Sequence, residues 1–135
     1  MAVVKKNTYV VGSNNDISNV CLNMDLNRLG TDLTHVVYSA PNFLIKVGSI
    51  VECNGSLYAV EGSDISITAA DGALYFDSST LNFTIGSGSA PYDASKAGCY
   101  ATSTKRLLKW SLLSDGTILR IGQKYTFIAP KTFTL

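Results

Sequence analysis

From about Lys46 onward, short apolar runs alternate with glycine-containing turns, the pattern of antiparallel strands joined by tight connections. In IVECNGSLYAVEG, Asn54 and Gly55 can take the two positive-φ positions of a type I′ turn, which predicts a hairpin pairing Ile50–Cys53 with Ser56–Val60. Ile65 and Ile67 then alternate with Ser66 and Thr68, and Asp71-Gly72 offers the next turn. ALYFD leads through Ser78-Ser79 into TLNFTI, where Leu81, Phe83 and Ile85 share one face, so a second hairpin is expected there. After the Gly/Ser-rich GSGSAP, residues 105–113 run to Asp115-Gly116 and return as TILRIG. Leu107, Leu108, Trp110, Leu112, Ile118, Leu119 and Ile121 can then build much of a core. The last segment, QKYTFIAPKTFTL, alternates Tyr125 with Phe127 before Pro130 and suits an edge strand or an extended tail.

The first 45 residues follow a different pattern. SNVCLNMDLNRLG offers Ser18 or Asn19 as an N-cap and Gly30 as a stop, as for one short helix, yet its apolar residues also alternate with the period of a strand. LTHVVYSAPNFLI looks like a strand interrupted by Pro41. The expected fold is therefore all-β: an antiparallel hairpin meander, residues 46–135, forming a small sandwich or barrel. Residues 1–45 are expected to be an N-terminal arm, with or without a short helix, serving attachment or oligomerisation.

Composition narrows the setting. With 135 residues the chain suits a single domain. It is 46% apolar and 16% charged, against about 25% charged in average soluble domains, so Ser, Thr, Asn and Gly must cover much of the surface. The net charge is +1 and the basic residues are scattered, which gives no electrostatic footprint for nucleic acid or an anionic membrane. The start, MAVVKKNTYVV, has too short an apolar stretch for a signal peptide, so folding in a cytoplasm is expected. Cys21, Cys53 and Cys99 are odd in number and widely spaced; they read as buried small hydrophobes rather than as a disulfide framework or a metal pair.

One motif invites a catalytic reading. PYDASKAGCY places Tyr92 and Lys96 in the Tyr-x-x-x-Lys frame of short-chain dehydrogenases, and Ser79 lies upstream where that family keeps a third catalytic residue. The chemistry needs that pair one turn apart on a helix beside a bound cofactor, but Gly98 follows Tyr92 by only six positions and β-branched and aromatic residues then resume. No glycine-rich phosphate turn or repeated strand-helix unit accompanies it. GSGSA, residues 86–90, lacks the Gly-Lys-Ser/Thr ending of a phosphate cradle and reads as a loop. Asp64, Asp71, Asp77, Asp93 and Asp115 fall at turn-like positions, where aspartate bonds its own backbone. No catalytic residue, metal or cofactor is expected. The aromatics Tyr58, Tyr75, Tyr92, Tyr100 and Trp110 are candidates for core packing, a subunit interface or a sugar-stacking face. The expected structural turns use Asn54, Gly55, Asp71, Gly72, Gly98, Asp115 and Gly116, with Gly98 supplying a backbone conformation closed to other residues.

The order of elements from Gly48 to Gly122 resembles small β-rich domains of bacteriophage and prophage fibre or appendage proteins. The resemblance lies in GSIVECNGSLYAVEG, ALYFDSSTLNFTIGSGSAPYDASKAGCY and KRLLKW with its Asp-Gly hairpin, a little over half the chain. Pro91, Tyr92, Asp93, Lys96, Gly98 and Tyr100 match the family's Pro-aromatic-Asp-x-x-Lys-x-Gly-x-Tyr loop; the first 45 residues carry no match. The resemblance implies a non-enzymatic virion component of a fibre, spike, or head or tail decoration. A homotrimer is favoured, bound to other virion proteins through the N-terminal arm. The alternative expectation is a carbohydrate-binding or host-receptor-binding β module, with a host surface glycan as ligand.

Overall fold

The computed structural model describes residues 3–8 and 35–120. Among the described residues twelve strands run in chain order: β1 Val3–Thr8, β2 Val36–Ser39, β3 Asn42–Ile45, β4 Ile50–Cys53, β5 Ser56–Val60, β6 Ile65–Thr68, β7 Gly72–Asp77, β8 Asn82–Gly86, β9 Tyr92–Asp93, β10 Gly98–Cys99, β11 Lys105–Leu112 and β12 Ile118–Arg120. No α-helix occurs among the described residues, and every strand pair is antiparallel. The all-β, antiparallel fold expected from the pattern is thus observed. The candidate helix near residue 20, Cys21, Ile121 and the C-terminal strand lie outside the described residues.

The strands form sheets ordered β1-β5-β4, β2-β3-β6 and β12-β11-β7-β8, plus the two-stranded ribbon β10-β9. Each expected hairpin is present. Asn54 and Gly55 have φ of 53° and 83° and join β4 to β5 with Cys53 opposite Ser56. β7 and β8 pair with Asp77 opposite Asn82, and β11 and β12 pair with Leu112 opposite Ile118.

Asp71-Gly72 turns the chain between two sheets. It closes no hairpin: β6 pairs with β3 and β7 with β8 and β11, so the two residues make the corner where the chain passes from one sheet to another. The Asp71 carboxylate caps the Ser114 N–H at 2.7 Å, and a Cβ on Gly72 would stand 2.5 Å from the Gly86 carbonyl oxygen, so only glycine fits this crossing.

The boundary drawn at residue 45 also needs revision. β1 pairs with β5, β3 pairs with β6, and Val3, Val36, Phe43 and Ile45 are buried in the common core. Strands on both sides of residue 45 therefore build one domain. The residues around Pro41 are a turn that lets β2 fold back on β3 with Ser39 opposite Asn42, and the cis Ala40–Pro41 peptide lies within it. The sequence pattern looked weak here because each of these strands is only four residues long.

The three larger sheets share a single core: Trp110, Phe43, Phe76, Ile45, Leu74, Leu112, Val36, Val51 and Cys53 are all essentially inaccessible. Phe76 tilts against both Tyr58 and Phe83, at centroid distances of 5.1 and 4.8 Å. Burial of each such side chain contributes about 1.5–3 kcal/mol. β7 lies between β8 and β11 and is buried on both faces, Leu74 and Phe76 in the main core and Ala73 and Tyr75 on the other side. The GSGSA segment covers that second face. Tyr75 donates its hydroxyl to the Ser87 carbonyl, and a Cβ on Gly86 would already touch the Tyr75 ring at 3.5 Å. Of the expected core residues on the last hairpin, Leu108, Trp110 and Leu112 are buried and Ile118 packs against them, whereas Leu107 is half-buried outside the main core and Leu119 is exposed on an edge strand.

Candidate functional site

The segment 91–103 forms a short ribbon and the loop that follows it, beside a depression of about 440 Å³ lined by Pro91, Tyr92, Asp93, Lys96, Tyr100 and residues 101–103. Sequence dictates the ribbon's turn locally. The Asp93 carboxylate Oδ1 accepts from the Ser95 N–H at 2.9 Å and from the Ser95 hydroxyl at 2.6 Å, and the Lys96 N–H bonds the Asp93 carbonyl at 3.2 Å. The Ser95 hydroxyl holds the Asp93 carboxyl below its ordinary range, with the Ser95 N–H and the Lys96 charge adding to the effect. Tyr92 then pairs with Cys99 and Asp93 with Gly98, while the Tyr100 N–H bonds the Pro91 carbonyl at 3.0 Å and closes the base.

Lys96 is folded inward. Its ammonium donates to the Ser103 carbonyl at 2.6 Å, lies 4.3 Å over the Tyr100 ring and stands 3.6 Å from Asp93 Oδ2. Tyr92 is 66% exposed. The residues between them form a turn, not a helix, so the dehydrogenase-like pair is not assembled. Ser79, its third member by spacing, sits in the β7–β8 turn with its hydroxyl on Asp77 Oδ1 at 2.7 Å.

Beneath the ribbon lies a buried polar node that sequence reasoning missed. Glu52 is 2% exposed, and Arg106 of β11 reaches it from the neighbouring sheet, Nη1 donating both to its carboxylate Oε1 and to its backbone carbonyl, the latter at 2.9 Å. Glu52 Oε2 accepts from the Gly55 N–H at 2.9 Å, so one carboxylate closes its own hairpin and anchors the arginine. The Tyr100 hydroxyl accepts from the Asn54 N–H at 2.8 Å, and burial pushes its ionisation well above the ordinary tyrosine range. Next to it, Cys53 donates its thiol to the Thr104 carbonyl at 3.1 Å, and burial raises its pKa too. The readable signal for this node was a glutamate inside the apolar run IVEC, a position where a strand buried on both faces demands a charged partner.

Gly98 has a different reason from the one expected. The left-handed residue is Ala97, φ 55°, whereas a Cβ on Gly98 would stand 2.8 Å from Arg106 Nε, so the glycine is there to admit the guanidinium. The aromatic candidates also separate. Tyr58, Tyr75, Tyr100 and Trp110 are buried, and of the five only Tyr92 presents its ring to solvent. Among the described residues no group of three or more His, Cys, Asp or Glu side chains is placed to hold a metal ion, and no helix is long and apolar enough to cross a membrane. No protein-family model, curated protein or solved structure matches the chain.

Proposed function

We propose that this chain is a non-enzymatic structural subunit of a bacteriophage virion, part of a fibre, spike, or capsid or tail appendage, and that it works as a homotrimer alongside other virion proteins. The observation that carries the reading is β2, an edge strand among the described residues. Its sequence, VVYS, holds no charge and no proline, and Val37 and Tyr38 are 39% and 37% exposed along it. Edge strands of monomers are ordinarily blunted by lysine, proline or bulges, because a bare apolar edge recruits further strands. A second copy laid against β2 would pair the backbone groups that no described strand pairs and remove this apolar surface from water. The loop chemistry agrees with a structural role: Lys96 and Ser79, two members of the dehydrogenase-like set, hold loops and turns in place, as do Asp93 and Ser95. The resemblance of PYDASKAGCY to virion appendage loops supplies the particle and the preference for three copies.

Val37→Lys tests this reading, since it puts a charge on the edge without touching the core. Sedimentation of the variant is expected to give a single 14.4 kDa chain where the unaltered protein gives an oligomer. An oligomer that persists with Lys at position 37 counts against assembly through β2.

A further inference from the structure

We propose that Asn54 is a site of spontaneous deamidation whose rate is set by the buried node beneath it, with Glu52 and Tyr100 holding the Asn54–Gly55 peptide unreactive while the node is closed. In this reaction the Gly55 nitrogen gives up its proton and attacks Asn54 Cγ. The bond from Cγ to the side-chain nitrogen breaks, ammonia leaves, and a five-membered succinimide remains. Water, the only co-reactant, then opens the ring at either carbonyl to give aspartate or isoaspartate. Sequence favours this place over others. Asn54 precedes glycine, whereas every other asparagine in the chain precedes a residue whose side chain crowds the attacking nitrogen. Asn54 is also exposed, so ammonia can leave and water can enter.

The folded structure opposes both requirements of the attack. The nitrogen must lose its proton, but the Gly55 N–H is donated to Glu52 Oε2 at 2.9 Å, and an amide anion formed at that distance from a carboxylate is repelled by it. Glu52 is 2% exposed, so little solvent screens that repulsion, and Arg106 on Oε1 fixes the carboxylate in position. The nitrogen must also swing towards Cγ by rotation within Asn54. That residue is pinned by its N–H on the Tyr100 hydroxyl at 2.8 Å and held at φ 53° between paired strands, with Cys53 opposite Ser56. Reaction therefore waits for the hairpin tip to open and release both bonds. Isoaspartate then lengthens the backbone of a two-residue turn, so a hairpin modified this way closes less well than the original. The inference stands apart from the assembly reading, because the bonds that control the reaction all lie within one chain.

The experiment incubates the full-length protein in mildly alkaline buffer, folded and in urea, and reads the loss of amide at residue 54 by peptide mass mapping. Two variants are incubated beside it: Tyr100→Phe, which removes the acceptor of the Asn54 N–H, and the double variant Glu52→Met with Arg106→Met, which removes the carboxylate and its cation together. Dispersed amide spectra show which variants are folded. Conversion in urea is expected to be at least about tenfold faster than in the folded protein, and the double variant to approach that gain. Tyr100→Phe is expected to convert about fivefold faster, the worth of one hydrogen bond. Equal rates in the folded and urea-treated protein would overturn the proposal, as would a folded double variant that converts no faster than the original. Should the double variant not fold, Tyr100→Phe converting at the original rate would overturn it.

Discussion

The node around Glu52 and the ribbon around Tyr92 lie one above the other but are built in opposite ways. The node is buried and held by bonds between distant parts of the chain, Arg106 to Glu52 and Tyr100 to Asn54. The ribbon has two-residue strands and an exposed turn, held largely by bonds between neighbours in sequence. Two residue pairs of strand cannot be stable alone in water. The ribbon keeps its shape because it rests on the node: Tyr100 leaves its base for the interior, and Arg106 Nη2 comes within 3.5 Å of the Ala97 carbonyl. The lesson is that buried polar chemistry here serves placement, while the exposed residue above it is the one available for contact.

The largest effect should come from breaking the node. Arg106→Met leaves Glu52 as a buried carboxylate without its cation and is expected to cost about 3–5 kcal/mol of stability, whereas adding Glu52→Met should recover most of it. Urea unfolding of the two single variants and the double variant measures the coupling. Next comes Gly98→Val, where the new side chain collides with the Arg106 guanidinium; overpacking of this kind costs about 1–3 kcal/mol. Unchanged thermal stability would show that Arg106 can yield the space.

The two regions should also separate by pH. Serine and threonine hydroxyls and backbone N–H groups hold Asp77, Asp93 and Asp115 below the ordinary carboxylate value of 3.8, so their contribution is whole above pH 3.8 and is lost as pH falls through the folded values. Acid should therefore loosen the turns first. Tyr100 and Cys53 have raised values, so their contribution is whole below their ordinary 10.0 and 9.0 and drains as pH rises beyond them. Base should attack the node. Hydrogen exchange at pH 3 and thermal unfolding at about pH 10–11 read the two arms. An acid-labile node with base-labile turns would invert the comparison.

The smallest effects lie on the ribbon itself. Lys96→Ala removes the bond to Ser103 and the contact with Tyr100, at about 1 kcal/mol, while Tyr92→Phe should stay within about 0.5 kcal/mol. Their order in a thermal-shift measurement sharpens the division between a residue that holds the loop and one that only stands on it.

What sequence could show of this follows from range. Asn54-Gly55 and Asp115-Gly116 declare hairpins because their turn chemistry is local, and all three predicted hairpins are present, the first with Ile50–Cys53 paired to Ser56–Val60 as expected. Asp71-Gly72 carries the same local signature and yet turns a corner between sheets, because strand order depends on pairings between β3 and β6 and between β7 and β11 that no local pattern encodes. The site divides the same way. The Asp93–Ser95 turn is legible, but the reason for Gly98 lies eight positions away in Arg106, and the partner of Glu52 lies 54 positions away. Exposure was equally hidden, since Tyr92 and Tyr100 look alike in sequence and face solvent and core respectively.

Asp93, Ser95, Lys96 and Ser79 thus serve the shape of their turns and loops, which supports the proposal that the chain assembles. The most direct test is the mass of the full-length protein in solution, by light scattering across a concentration series. The account predicts three times the 14.4 kDa chain mass, held on dilution. A mass that remains at one chain across the series would contradict it.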